Sequence, residues 1–343
     1  MLVAQMCRVH RERGHAPYVY AVAGLGDIGT RMRHEGFFVQ ANVGEHLLDA
    51  TRNFHRIFKA LRPDVVHLHN PTPTIYAALA ARMAGATSIV SIRHSLVAPP
   101  WNRTEEMKYA MASLFCDWIV GVCEATATNL RAMHTVRQGK IVRVYNGVAP
   151  LRRVANEQCP AKSGFTLLYV GRLEPVKNHR HLLHAFDTAH SSMRDLRLWM
   201  VGDGSERKAL ERLAGELGIA DEVRFWGQQA DVAPFFSAAD TFVMSSRSEG
   251  LPLSLLQGFS LGLPAIVTDV GGMAEVVRLA GGGLTVSATE PAEMAAAILR
   301  VTKDDAERRR FRENAEAAFH SSFSIDAVTS AYEKLSGNTQ ESQ

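Results

Sequence analysis

Cysteine is scarce and unpatterned. Cys7, Cys116, Cys123 and Cys159 are spread over 343 positions with no CxxC spacing, so the chain reads as a reduced protein without a disulfide framework. Long apolar runs are missing as well. The longest near the middle, Met111 to Cys123, is broken by Asp117 and is shorter than the ~20 residues that cross a bilayer. Charge enters by Arg8, where a signal peptide needs an unbroken apolar core. These absences predict a cytoplasmic chain, at most peripheral at the inner face of a cell membrane. There is also no long polar tract and no short-period repeat, which excludes disordered, fibrous and solenoid architectures.

What is present fits a globular protein of about two domains. The chain is 46% apolar and 21% charged, enough to bury a core, and 343 residues exceed what one core usually organises. The net charge of +3 hides an asymmetry. Residues 1–155 hold 19 Lys+Arg against 10 Asp+Glu, a balance of +9, and the remainder holds 19 against 25, a balance of −6. A basic first half favours anionic partners such as phosphates, nucleic acid or an acidic membrane surface. The bland alternative is a solvated face with dispersed Arg. No aromatic-basic stacking motif supports nucleic acid, which ranks last among these partners.

Short β-rich runs alternate with amphipathic stretches, the signature of βα units around a parallel sheet. The pattern occurs twice. In the first half, strands are predicted at 17–23, 37–41, 65–69, 88–93, 118–122 and 141–145, with helices such as 72–84 and 124–133 between them. In the second half, strands are predicted at 166–170, 196–201, 223–226, 241–244, 265–268 and 283–286, with helices near 179–190, 205–217, 253–261 and 291–300. The polar stretch 149–164 carries Pro150, Pro160 and Gly164 and suits a linker. The expected organisation is therefore an α/β chain with Rossmann-like domains at 1–150 and 165–303, followed by helices over 304–336 that could pack back across the linker. Ligands of such sheets bind beyond the carboxyl ends of the strands.

Several loops at those ends carry chemistry. Gly24-Leu25-Gly26-Asp27-Ile28-Gly29 formally matches a dinucleotide fingerprint, with Glu45 near the spacing of a ribose-binding acid. The segment that follows, Thr30 to Glu35, has little apolar face, so a plain glycine-rich turn is the simpler reading. The run Gly171-Arg172-Leu173-Glu174-Pro175-Val176-Lys177-Asn178 sets two cations five residues apart on one loop, a fork and a point charge suited to adjoining phosphates. In Val201-Gly202-Asp203-Gly204-Ser205-Glu206, glycines permit close backbone approach ahead of a helix N-terminus, where a nucleotide could lie. The alternative for each is an ordinary βα turn. Glu249 precedes a further helix N-terminus whose amides at Leu251 to Ser254 can face an anion, and Gln257 follows two turns later. A carboxylate there can accept sugar hydroxyls, or simply complement the helix dipole.

Together these segments resemble the retaining glycosyltransferases of the GT-B fold, family 4. The resemblance rests on 171–178, 201–206, Arg224-Phe225-Trp226-Gly227, 248–264 and Thr268-Asp269-Val270-Gly271-Gly272 in the second half. In the first half it rests on 64–70, 91–95 and Tyr145-Asn146-Gly147-Val148. It implies two Rossmann-like domains facing across a cleft, and transfer of a sugar from a nucleotide-diphosphate donor with retention at the anomeric carbon. The donor enters as substrate, a UDP-sugar ahead of a GDP-sugar, with no cofactor and no metal. The acceptor is a glycan or glycolipid of a cell-surface polysaccharide. Carried over by position, Arg172 and Lys177 hold the diphosphate, Glu249 takes the donor-sugar hydroxyls, and His94 faces that sugar from the other domain. Gly202, Asp203, Gly204, Phe225, Gly250, Leu251 and Gln257 complete the donor site. Cations and helix N-termini can stabilise a departing diphosphate, and the chain has no Asp-x-Asp of the metal-dependent kind.

Two departures stand out. Gln257 replaces the family's second Glu, which loses a charge-assisted bond to the ribose, a difference of about 1 kcal/mol. The chain also opens at Met1-Leu2-Val3-Ala4-Gln5-Met6, which reads as the first helix, so the usual first strand and glycine-rich loop are absent. Either the natural start lies upstream or the chain is a shortened member. Without that central strand, its neighbours keep unpaired backbone groups or are forced together. A rival reading follows, a non-catalytic GT-B protein that binds a nucleotide sugar or a partner enzyme. A third, an oxidoreductase using the 24–29 turn, predicts nicotinamide binding lost on Gly26→Val.

Overall fold

Parallel strands alternate with helices twice along the chain, and each set builds its own core. The computed structural model describes residues 1–343 apart from 42, 45, 97–101 and 342–343. It divides into an N-terminal unit, Met1–Gly147 with Ile325–Gln343, and a C-terminal unit, Val148–Ser324. Residues 304–336 form no body of their own. Helix Asp305–Ala318 belongs to the C-terminal unit and helix Ile325–Glu341 to the N-terminal one.

The N-terminal unit carries β1 (Tyr18–Ala21), β2 (Phe38–Ala41), β3 (Val65–His69), β4 (Ser88–Arg93), β5 (Trp118–Gly121) and β6 (Ile141–Arg143). All pair in parallel, but not in one sheet. β1 pairs only with β2, while β3, β4, β5 and β6 form a separate four-stranded sheet in that order. Among the described residues no strand joins them, so β1 and β3 each keep an edge without a ladder. Each sheet has its own apolar cluster. Ala4, Cys7, Met32, Phe37 and Val39 pack beside the small one, and Phe54, Phe58, Ala77, Ala81, Ile89 and Ile119 belong to the larger. Helices form where side chains allow. Pro71 starts Pro71–Met83, whose alanines at 77, 78, 80 and 81 are buried, and Asn102 caps Arg103–Ser113 by accepting the Glu105 amide.

The C-terminal unit carries β7 (Phe165–Val170), β8 (Leu196–Val201), β9 (Val223–Gly227), β10 (Thr241–Met244), β11 (Ala265–Thr268) and β12 (Gly283–Val286). They form one parallel sheet ordered β12-β11-β10-β7-β8-β9. Helices sit on it through apolar stripes such as Leu182, Leu183, Ala185, Phe186 and Ala189 of His179–Ser192. Both faces are covered, which is why β7, β8, β10 and β11 read as nearly continuous apolar runs.

The central strand β4 is buried throughout yet carries a charge. Arg93, 3% exposed, lies 3.0 Å from Glu106 and over the Tyr109 ring. A buried guanidinium is tolerated only with such partners. Glu106→Ala is expected to destabilise the protein by about 3 kcal/mol, seen as a lower melting temperature. Replacing both members, Arg93→Met with Glu106→Leu, should restore most of the loss.

Candidate active site

The strand order of the C-terminal unit decides where its chemistry gathers. From β7 the chain winds one way to β8 and β9, and after β10 it winds the other way to β11 and β12. The loops leaving β7 and β10 therefore part at a topological switch point, the place where open parallel sheets bind ligands. Lys177 is on the first loop and Glu249 on the second. Their side chains meet in an ion pair between Lys177 Nζ and Glu249 Oε1, both largely shielded from solvent. Ser246 Oγ donates to the same carboxylate oxygen at 2.9 Å.

Backbone contacts lock the two loops together. Ser245 Oγ bonds the carbonyls of Lys177 and Asn178 at 3.0 and 3.1 Å, and the Arg247 amide donates to Val176 O at 2.9 Å. Asn178 holds a left-handed conformation, φ 53, which Asn tolerates better than most residues, and so turns the chain into helix His179–Ser192. A third loop enters from β11. Thr268 Oγ1 donates to Ser246 O at 2.6 Å, and the Gly272 amide donates to Gly250 O at 2.7 Å. Gly271 is required here: its φ is +53, and a Cβ would lie 1.8 Å from the Glu249 carbonyl oxygen.

Arg172 reaches the same neighbourhood through its backbone. The buried Tyr169 hydroxyl donates to Arg172 O at 2.9 Å. That phenol is pushed well above its ordinary range by burial and then by the Glu249 charge, with Arg172 opposing. The Arg172 side chain is exposed and makes no hydrogen bond or ion pair among the described residues, so this cation stays available. Gly202 and Gly204 serve the chain itself. Cβ atoms there would lie 1.9 Å from Gly171 O and 2.4 Å from Leu173 O, so the small residues let the β8 loop lie against the β7 loop. Asp203 accepts from the Gly204 amide at 2.8 Å and pairs with Arg207. The Gly204 amide first, then Arg207, holds its carboxyl below the usual range. The Ser205 amide and hydroxyl are taken by Glu174. Phe225 is half-buried in β9 beside Met200. Gly250 and Leu251 are buried under the Glu249 loop, and Gln257 is buried on helix Leu253–Ser260.

His94 belongs to the N-terminal unit, just past the carboxyl end of β4. Its Nε2 lies 3.0 Å from Nδ1 of His69, the last residue of the neighbouring β3, and the rings stack. Burial pushes His94 down to about 4, opposed by a bond to Asn146. Burial likewise lowers His67 to about 4 and His179 to about 3, the latter helped by Lys177. These rings are neutral at pH 7. Ser245, Ser246 and His69 were not legible as site residues, though His69 ends a strand run and the two serines follow one, while Thr268 and Gly271 lie in the 268–272 run without a role read for either. In the 24–29 turn, Gly24 and Gly26 face open space, and Glu45 lies outside the described residues.

Comparison with known proteins finds matches along nearly the whole chain. Residues 1–152 match the family described as Glycosyltransferase Family 4, and residues 155–318 match Glycosyl transferases group 1. The chain belongs to the GT-B glycosyltransferases of family 4. Among family relatives is LpsD of Rhizobium meliloti (strain 1021), a lipopolysaccharide core biosynthesis glycosyltransferase. It is 32% identical over 216 residues, 62% of each chain. LpsE of the same strain is 36% identical over 152 residues, 44% of this chain and 45% of LpsE. The chain thus spans about half to three-fifths of these relatives. The crystal structure of Anabaena Alr3699/HepE in complex with UDP superimposes with a TM-score of 0.83, at 19% identity, over 98% of this chain and 95% of that one. At that identity the likeness is one of fold. Among the described residues no helix is long and apolar enough to cross a membrane.

Two predictions follow from the packing and the protonation states. Gly271→Ala should lower the melting temperature, because both its φ and the Glu249 carbonyl oppose a methyl group. Gly215→Ala, in helix Arg207–Glu216 with open space around it, should raise stability by about 0.5–1 kcal/mol. The buried histidines set the acid limit. Their folded values lie below the ordinary 6.5, so the unfolded chain takes up protons first as pH falls. Their contribution is full above about 6.5 and is lost as pH drops from there toward 4. Thermal melts between pH 7.5 and 4.5 should show that decline, and His179→Leu should make it shallower.

Proposed function

We propose that this chain is a retaining glycosyltransferase. Its donor is a nucleotide-diphosphate sugar, a UDP-sugar ahead of a GDP-sugar, and its acceptor is a glycan or glycolipid in the synthesis of a cell-surface polysaccharide. The observation that carries this reading is the Lys177–Glu249 pair at the switch point of the C-terminal sheet. A cation and an acid at that place match the two halves of such a donor, one anionic and one rich in hydroxyls. A diphosphate arriving there competes for the Lys177 ammonium and frees Glu249 to accept sugar hydroxyls, while Ser246 keeps the carboxylate aimed. The unpaired Arg172 adds a planar fork for a second phosphate oxygen.

Transfer breaks the bond between the anomeric carbon and the diphosphate oxygen, whose electron pair stays with the phosphate. A bond forms from the acceptor hydroxyl to the same carbon, and the hydroxyl proton is lost to the released diphosphate. Fixed cations at the departing phosphate lower that barrier without reorganising. His94, neutral at pH 7 by burial, is assigned to the donor sugar as a hydrogen-bonding group rather than a charge. No cofactor enters the scheme. Support for the acceptor class comes from LpsD and LpsE, which are named for lipopolysaccharide core biosynthesis. Support for the donor comes from HepE, solved with UDP. The basic first half of the chain, +9 over residues 1–155, is assigned to acidic headgroups at the cytoplasmic face of a membrane.

The divided N-terminal sheet favours a second reading, a GT-B protein that binds a nucleotide sugar without turning it over. A donor screen that measures released nucleoside diphosphate separates the two. Release is expected from a UDP-sugar, with the anomeric configuration of the product retained by NMR. Lys177→Ala and Glu249→Ala should each lower kcat by about 100-fold or more. Tight binding of the donor with no release would assign the chain to the second reading.

A further inference from the structure

A cluster in the N-terminal unit lies outside this chemistry. His10 is in the last turn of helix Leu2–Glu12. His15 follows the turn that Gly14 makes at φ +86, and Glu333 projects from helix Ile325–Glu341. Glu333 Oε1 is 3.4 Å from His10 Nδ1 and 3.7 Å from His15 Nε2. One potential ligand atom from each of the three residues lies within 4.8 Å of the other two. A tetrahedral ion with bonds of about 2.0–2.1 Å holds its donors about 3.3 Å apart. Two of the three separations are therefore close to coordination distance. The remaining one can close through His15, which lies outside regular structure and is well exposed.

We propose that His10, His15 and Glu333 form a binding site for a divalent ion of the zinc class, with water completing the coordination. Two imidazole nitrogens and one carboxylate oxygen suit zinc and its neighbours, and do not suit calcium or magnesium, which take oxygen ligands. The supporting shell is already in place. Arg13 donates to Glu333 Oε2 at 2.5 Å and to Ser330 Oγ and Asp326 O at 3.0 and 3.2 Å. It thereby fixes the carboxylate so that the other oxygen faces the imidazoles. That oxygen, Oε1, is buried and has no hydrogen-bond partner among the described residues. The Arg13 charge does not repel a dication outright, because the Asp326 carboxylate lies 3.6 Å away and leaves the surroundings net negative. The His10 ring is held edge-on to His15 at 5.5 Å and rests 6.3 Å from the buried His67, so only His15 needs to move. Occupancy would fasten the end of the first helix to the last helix through a few short bonds.

The test uses the untagged full chain after chelator treatment. Titration with cobalt(II), followed by d–d absorption, should saturate at one equivalent, and zinc(II) should displace it whereas magnesium and calcium should not. His15→Ala alters an exposed side chain and should fold, while weakening cobalt affinity at least tenfold. Glu333→Gln should do the same, with circular dichroism confirming the fold. His184→Ala, on the exposed face of helix His179–Ser192, should bind as the parent does. The absence of saturable one-equivalent binding in the parent would overturn the proposal. So would parental affinity in either His15→Ala or Glu333→Gln, or an equal loss in His184→Ala.

Discussion

Lys177 and Glu249 are 72 positions apart in sequence, and their ion pair exists because β7 and β10 are neighbours in the sheet. The pairing of Leu167 with Thr241 and Leu168 with Phe242 brings two loops to a common rim, where the winding of the chain reverses. Desolvating two opposite charges there is tolerable only because each has a partner and the carboxylate has a hydroxyl donor as well. A lone charge in that position would be costly. The pair thus serves the fold of the chain itself, each charge answering the other where two loops meet. Under the proposed function the same mutual satisfaction would preorganise the two groups for a donor.

The supporting loops show a division of labour between glycine and hydroxyl residues. Gly202, Gly204 and Gly271 let backbones approach to distances no side chain permits. Ser245 and Thr268 then pin the approaching backbones by hydrogen bonds, and Ser246 holds the Glu249 carboxylate. The result is a rim of four loops, after β7, β8, β10 and β11, whose relative positions are set largely by main-chain contacts. His69 and His94 play a comparable part at the end of β3 and β4, where burial keeps two adjacent rings uncharged.

How much of this was legible varies by element. The strands Ser88–Arg93, Leu196–Val201 and Ala265–Thr268 stand out residue by residue, because buried parallel strands have no polar face to obscure the run. Helix Arg103–Ser113 is far harder to read. Its core contacts reduce to Tyr109, Ala112 and Ser113, too few to impose a one-sided pattern. At the site, Lys177 and Glu249 are visible as a cation and an acid after strands, but their contact is not, since spacing says nothing of strand order. The glycines illustrate the opposite limit. A glycine-rich loop suggests room for a ligand, and only the folded chain shows that the room at Gly202 and Gly204 is filled by neighbouring carbonyls.

The separation of β1 and β2 from the other four strands has an energetic consequence of its own. Two short parallel strands have too few ladder bonds to persist alone in water. Their persistence rests on the small cluster of Ala4, Cys7, Met32, Phe37 and Val39 and on Tyr20 of β1, which packs against the larger cluster beside Phe54. Local opening of that ribbon costs little beyond this handful of contacts, whereas opening β4 disrupts two ladders and a buried guanidinium. The N-terminal unit therefore has a graded rigidity, with amide protection weakest in the ribbon and strongest in the middle of the larger sheet.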